Sequence, residues 1–403
     1  MPLMNNITRA YLDYNSTTPC AAEVIAEMLP YFDKEYGNAA SPHGAGRVAS
    51  AAVAQAREEV ACAIGTNSRC VFFTSGATES NNLALLGVAK SDSHRRKIVV
   101  SAIEHKSVLE PCLRLFNEGY TIQRMPVDRN GVVDLEVAAS LIDDRTLIVS
   151  VQGANNETGV LQPIREITQL AHERGALCHC DAAQMLGKLP VRVEELEIDL
   201  ASFSAHKTYG PKGIGALFLA EGKVRSILRP LLSGGGQESG IRPGTQNVPG
   251  IVGFGCAGRL LHGTLDAEMQ RLSVLRHLCE KELLRCIPGS YVNGRNVPRL
   301  PSTISLTIPG VPADMLMANL PTVCISNGSA CNAGSPEPSH VLLAMRLSRL
   351  DAECTVRISF GKYTSEADIV AACREMTAAA RELRVKLGLE SDFMQSNGGN
   401  RDA

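Results

Sequence analysis

His105, Asn156, Asp181 and Lys207 are the residues whose types and placement most directly suggest chemistry. An imidazole, a carboxamide, a carboxylate and an amine can between them move a proton, orient a polar substrate, hold a cation and form a covalent imine. Each follows a short apolar run: Ile98 to Ser101 before His105, Leu147 to Val151 before Asn156, Ala176 to Cys180 before Asp181, and Asp199 to Phe203 before Lys207. Such runs, bounded by turn residues, read as buried strands. Open α/β sheets collect ligand-binding groups just past the carboxyl ends of their strands. A single lysine in the polar stretch SFSAHKTYGPKGIG (202–215) would read as an ordinary solvated loop residue. Placement of several functional groups at separate strand ends makes a shared site the better reading.

Two more stretches carry chemistry. The run Cys70 to Thr74 passes through Ser75-Gly76-Ala77-Thr78 into a helix from Glu79 to Ala89. Strand, small-residue turn and helix together aim free N–H groups and a positive dipole end at an anion, with capping by Thr78 as the competing reading. The stretch is neither GxxxxGK[ST] nor GxGxxG. In SNGSACNAGSPEPSH (326–340), Cys331 stands among small residues that offer no core anchor, which predicts an exposed thiol on a mobile loop. Cys178-His179-Cys180 resembles metal ligands only superficially. It lacks a second pair, and strand alternation separates the two cysteines from the histidine, so buried strand residues are expected.

The elements that must position these groups alternate strand and helix along the first part of the chain, which predicts a mainly parallel sheet covered on both faces. Helices are expected from Ala21 to Tyr31, Val48 to Ile64, Val108 to Glu118, through His172, and from Leu260 to Cys286. The length, 403 residues, suggests two domains. A large domain over 15–260 and a small α/β domain from 1–14 and 261–390 are expected. The small domain would have strands near Ser302 to Ile308 and Val356 to Phe360 and a terminal helix from Ser365 to Leu387, and 391–403 would form a disordered tail. The net charge of −2 with scattered basic residues gives no footprint for nucleic acid. No run of 18 apolar residues or signal-peptide core occurs, and thirteen dispersed cysteines do not form a secreted framework, so a cytoplasmic protein is expected.

Taken in order, YLDYNSTTP (11–19), FTSGATESNN, IEHKSV, NNETGVLQPI, DAAQ, SAHKTYGPKGIGALF, GGGQESGIRPGTQN, SNGSAC and RISFGKYT (357–364) resemble the cysteine desulfurases of the class-V aminotransferase family. These are fold-type I pyridoxal-phosphate enzymes, and the resemblance is to the form with a long mobile cysteine loop. It implies a seven-stranded-type, mainly parallel sheet between helices, a smaller α/β domain and pyridoxal 5'-phosphate as cofactor. By the same resemblance Lys207 forms the Schiff base, Asp181 pairs with the pyridinium nitrogen, His105 stacks on the ring and Gln184 bonds the ring hydroxyl. Ala77, Thr78, Ser204 and His206 hold the phosphate, joined by Thr245 from a neighbouring subunit. Asn156 and Arg357 orient the substrate, with Arg357 on its carboxylate.

The implied reaction converts L-cysteine to L-alanine. Lys207 moves the α-proton and the Cys331 thiolate takes the sulfur as a persulfide, which passes to an acceptor protein. Iron–sulfur cluster assembly, tRNA thiolation and DNA phosphorothioation are the candidate destinations. A homodimer with shared sites is expected, without metal, membrane or direct nucleic-acid binding. Ser16, where the family often has Ala, Asn327, where Ser is usual, and NAASPHGAGR (38–47) depart from the pattern, and none is expected to touch the cofactor shell. Selenocysteine lyase is the alternative enzyme, and an inactive sulfur-relay scaffold is the alternative of another class.

Overall fold

A computed structural model of the chain describes residues 10–91, 94–327 and 338–389. The strands, numbered in chain order, are β1 (Ala10–Tyr11), β2 (Val71–Thr74), β3 (Lys97–Ser101), β4 (Thr121–Met125), β5 (Thr146–Gln152) and β6 (Leu177–Asp181). They continue with β7 (Leu200–Ser204), β8 (Gly215–Leu219), β9 (Tyr291–Val292), β10 (Thr303–Thr307), β11 (Val323–Cys324) and β12 (Thr355–Ser359).

Seven of these form one sheet in the order β2-β8-β7-β6-β5-β3-β4. The pairs from β7 through to β4 are parallel, whereas β8 runs antiparallel to both β7 and β2. The sheet is therefore mixed and mostly parallel. Because β8 reverses direction twice over, β2 points the same way as β7, and the carboxyl ends of β2, β3, β5, β6 and β7 share one edge. Gly215 opens β8 at that edge, where a Cβ would stand 2.4 Å from the Phe203 carbonyl and 2.6 Å from Gly76 Cα. Only glycine lets the two chains approach so closely.

Side-chain alternation assigns the sheet's two faces to separate cores. Val71, Phe73, Val149, Cys178, Cys180, Phe203 and Phe218 belong to one apolar cluster. Phe72, Ile98, Ile148, Leu177, Leu200 and Leu217 belong to another. His179 lies between Cys178 and Cys180, with its ring bonded to Ser150 Oγ at 2.8 Å and Ser202 Oγ at 3.0 Å. No cluster of three or more potential metal ligands occurs among the described residues.

The helix Ala77–Ala89 begins two residues before its expected start, and the expected long helix from Leu260 begins at Leu265. Ahead of it lies a further helix, Val248–Arg259, whose residues up to Gly258 are all buried or nearly so. It crosses the helix Gly44–Ile64, and a Cβ on Gly255 would stand 2.6 Å from Ala56 Cα, so its glycines serve close helix packing. Such a helix has no polar face and shows no 3.6-residue period, which is why its sequence reads as an extension of the preceding glycine-rich loop.

A third apolar cluster joins Ala10 and Leu12 to Leu275, Ile304, Ile358, Met376 and Leu383, around the sheet β12-β10-β9 and the helices Leu265–Cys286 and Glu366–Lys386. Val341, Leu342, Met345 and Ala352, although late in the chain, join the first cluster instead. No described helix is long and apolar enough to cross a membrane.

Candidate active site

A cavity of about 600 Å³ opens at the common strand-end edge. Ala77, Thr78, His105, Asn156, Asp181, Gln184, Ser204, His206, Lys207 and Arg357 all line it. Parallel register explains the convergence: Gln152 on β5 lies opposite Asp181 on β6, and Asp181 lies opposite Ser202 on β7. Residues just beyond these positions must meet.

Lys207 ends a single 3-10 turn, Ala205–Lys207, directly after β7. Its Nζ donates to the Asn15 carbonyl and, at 2.7 Å, to the Ser16 carbonyl. Asn15 is the hub of this side of the site. Its N–H donates to Ser359 Oγ at 2.9 Å, and its Nδ2 donates to the Asn156 carbonyl at 3.1 Å and Thr303 Oγ1 at 3.0 Å. Gln184 Nε2 donates to the same Asn15 carbonyl at 3.0 Å. Arg357, on β12, donates from Nη1 to the Asn156 carbonyl at 3.0 Å and from Nη2 to Asp13 Oδ1 at 2.7 Å and Ser16 Oγ at 2.6 Å. Its Nε is buried without a hydrogen-bond partner. The small sheet thus reaches the cavity through Arg357 and through the 10–16 segment, which also pairs with β11 and Ser359.

Asp181 lies buried at the end of β6, accepting from Asn81 Nδ2 at 2.8 Å and from the Ala183 N–H at 3.0 Å. Asn81 Nδ2 also donates to Ser107 Oγ at 2.8 Å, and Ser107 Oγ meets His105 Nδ1 at 2.8 Å. His105 caps the helix Lys106–Asn117, with Nδ1 accepting from the Ser107 N–H at 3.1 Å. A backbone N–H can only donate, so Nδ1 is the acceptor and the neutral ring carries its proton on Nε2. Beside this chain, Glu104 is fully buried, and burial, then the nearby Asp181, push its carboxyl well above the usual range.

The anion seat is the first turn of the helix Ala77–Ala89. Gly76, not Thr78, is its N-cap and supplies no side-chain bond. Unmet N–H groups at a helix start suit an anionic group. Ser204 and His206 line the same cavity, and a Cβ on Gly76 would stand 3.7 Å from Ser204 Oγ. Burial first, then Lys207, Lys212 and Lys188, depress the His206 pKa to about 4, so the ring is neutral at pH 7 and can give one N–H. Its Nδ1 lies 3.1 Å from Thr17 Oγ1.

Thr245 does not line the cavity; it is exposed on the glycine-rich loop. That loop is pinned on either side of it. Glu238 takes both Nη groups of Arg57 at 2.6 and 2.7 Å, the Phe73 N–H at 2.8 Å and Gln246 Nε2 at 2.6 Å. Arg242 pairs with Glu79 at 2.9 Å, and Glu79 also accepts from the Ser75 N–H at 2.7 Å. Cys331 falls outside the described residues, as does the 391–403 tail.

The expectation that no departure from the pattern touches this shell is corrected for Ser16. It lines the cavity, its carbonyl accepts from Lys207 and its hydroxyl accepts from Arg357. Asn15, Thr17, Gln152, Ser107 and Lys212 also line the cavity without having been singled out. The polar run Asn15 to Thr17 was the available signal, but its partners lie far along the chain.

The residues present fit pyridoxal phosphate. A buried carboxylate suits the pyridinium nitrogen, an uncapped helix start suits the phosphate, and an amine lies in the same cavity.

Residues 10–371 match the family model Aminotransferase class-V. The chain is 41% identical over 395 residues to a protein of Rickettsia typhi named cysteine desulfurase IscS, an alignment covering 98% of this chain and 96% of that one. Among solved structures, one titled NifS-like protein superposes with a TM-score of 0.86 at 37% identity, covering 93% of this chain and all of the other. DndA from Streptomyces lividans superposes with a TM-score of 0.73 at 35% identity, covering 85% and 97%. A structure titled SspA in complex with cysteine superposes at 0.77 and 34% identity, covering 88% and 99%. By the extent of the family match and the near full-length identity, the chain belongs to the class-V aminotransferase family.

Proposed function

We propose that this pyridoxal-phosphate-dependent cysteine desulfurase works through Lys207, Asp181, His105 and Arg357 in the strand-end cavity and delivers the substrate sulfur to Cys331. The observation that carries the reading is the convergence of Lys207, Asp181, Gln184, His105 and the helix start at Ala77 on one cavity. When bound, pyridoxal phosphate supplies an electron sink that makes the cysteine Cα–H acidic and its Cβ–S bond labile.

The chain's own residues do the rest. Ala77, Thr78, Ser204 and His206 hold the phosphate with helix-end N–H groups and neutral donors. Asp181 keeps the ring nitrogen protonated, and its own place is fixed by Asn81 and Ala183. His105 packs on the ring and offers the Nε2 proton. Lys207 carries the proton to and from Cα, and Arg357 binds the substrate carboxylate with Asn156 beside it. The Cys331 thiolate attacks the substrate sulfur. The Cβ–S bond breaks with its electron pair remaining on carbon, which is protonated and leaves as L-alanine.

A second copy of the chain supplies Thr245 to the phosphate. Ile25, Leu29, Phe32 and Tyr36, exposed at 46, 58, 64 and 77%, offer it an apolar face. The division at about residue 260, a cytoplasmic setting and handover to an acceptor protein for cluster assembly, tRNA thiolation or DNA phosphorothioation complete the reading. The experiment is spectroscopic and chemical. Purified protein should show a cofactor band near ~420 nm that yields alanine with L-cysteine. Lys207→Ala should lose both the normal band and turnover, and a normal band with turnover in that variant would contradict the assignment. Faster turnover of L-selenocysteine than of L-cysteine, with no selenium left on Cys331, would favour a lyase.

A further inference from the structure

Lys188 lies beneath the site without lining it. It follows the Asp181 turn, is only 5% exposed, and donates from Nζ to Asn15 Oδ1 at 2.8 Å and to Gln184 Oε1. No acidic partner for it is found among the described residues. The charged groups facing it are Lys207, from the turn after β7, and Arg357, from β12; His206 also feels its charge. Burial first, then Lys207 and Arg357, push its amine well below the usual lysine range. Its two acceptors, Asn15 Oδ1 and Gln184 Oε1, come from segments far apart in the chain, so one buried amine ties the Asn15 side chain to the Gln184 carboxamide.

The consequence concerns Gln184. The two ends of a carboxamide have nearly the same shape, so only its partners decide which end faces where. With Oε1 held by Lys188, Nε2 is the end left for Asn15 O, the carbonyl that also accepts from Lys207. We propose that Lys188 is a positioning residue for the desulfurase. By donating to Gln184 Oε1 and Asn15 Oδ1 together, it turns the Gln184 N–H toward the cofactor's ring oxygen and the Asn15 carbonyl toward Lys207. This rests on the placing of Gln184 and Lys207 at the cofactor.

The test uses Lys188→Met, which keeps the length of the side chain and removes both donors. The fold of the cofactor-free form is checked by circular dichroism. Pyridoxal phosphate is then titrated into it, and the cofactor's absorbance band is followed against pH. Affinity should fall about tenfold, the size of a hydrogen bond lost with its acceptor left buried. The band's apparent pKa should rise by about half a unit or more, because a ring oxygen deprived of a donor holds the shared proton more tightly. Lys188→Gln, which returns one N–H donor, should recover part of both changes. Unchanged affinity and an unchanged titration in folded Lys188→Met overturn the proposal. A weaker affinity with an unmoved titration does so too, since a purely structural lysine would give that result. Should Lys188→Met not fold, Lys188→Gln decides, an intermediate titration supporting the proposal and a wild-type one overturning it. Absence of any cofactor band in the unsubstituted protein would count against Lys207 and Gln184 as the site, which keeps the two readings apart.

Discussion

At the scale of single residues, the polar groups lining the cavity constrain one another through shared partners, and Ser16 shows how one neighbour can modulate another. Its hydroxyl accepts from Arg357 Nη2 alongside Asp13, so part of the arginine's donor capacity is taken before a substrate carboxylate arrives. Ser16→Ala should free that donor and lower KM for L-cysteine about two- to fivefold with kcat nearly unchanged, a binding effect measurable by steady-state kinetics. A changed kcat at constant KM would show that Ser16 acts on Lys207 through its carbonyl instead. Ser16 also marks a limit of sequence reading. Its position in YLDYNSTTP was visible, but its contact with a residue 341 positions away was not. Asn15 has the same character, with partners 141, 288 and 344 positions distant.

At the scale of elements, the strand ends were legible because short apolar runs followed by polar turns have few other readings. Asp181, His105, Asn156 and Lys207 are therefore grouped by the sequence alone. The direction of β8 was less so, since an apolar run of five residues carries no sign of parallel or antiparallel pairing. The helix Val248–Arg259 was missed because burial on every side removes the period that reveals a helix. The loop before it is held by Glu238, whose backbone takes a left-handed φ of 48° while its carboxylate collects Arg57, Phe73 N–H and Gln246. Removing that carboxylate would leave the Arg57 guanidinium only the Val71 carbonyl and the Phe73 ring, and would take the acceptor from the Phe73 N–H. Glu238→Ala should cost about 3 kcal/mol in denaturant unfolding, and weaker cofactor retention should accompany it. A loss below about 0.5 kcal/mol would show that the loop is held chiefly by its apolar contacts.

At the scale of the whole molecule, two sheet faces and a smaller unit close on one cavity, and that compactness has a dependence on pH. His179 is fully buried between two serines, and its burial depresses the pKa from 6.5 to about 4. Above pH 6.5 the ring is neutral in both folded and unfolded chains and contributes no pH dependence. As the pH falls toward 4 the unfolded chain takes up the proton first, so stability is lost over that window, by about 3 kcal/mol when the native ring also titrates. His179→Asn should be the less stable protein at neutral pH, having lost a serine bond. Its deficit relative to the parent should narrow between pH 6.5 and 4 in thermal or denaturant unfolding. A constant gap across that range would show that His179 does not carry the acid sensitivity.

The central claim, that sulfur leaves L-cysteine in this cavity and is received by Cys331, is tested most directly by one measurement. The protein is incubated with L-cysteine under single-turnover conditions, alkylated, digested and examined by mass spectrometry while alanine is quantified. One added sulfur on the Cys331 peptide, in step with alanine and absent from Cys331→Ser, is the predicted result. Alanine formed at the normal rate by Cys331→Ser, or added sulfur on another cysteine with Cys331 unmodified, would contradict it.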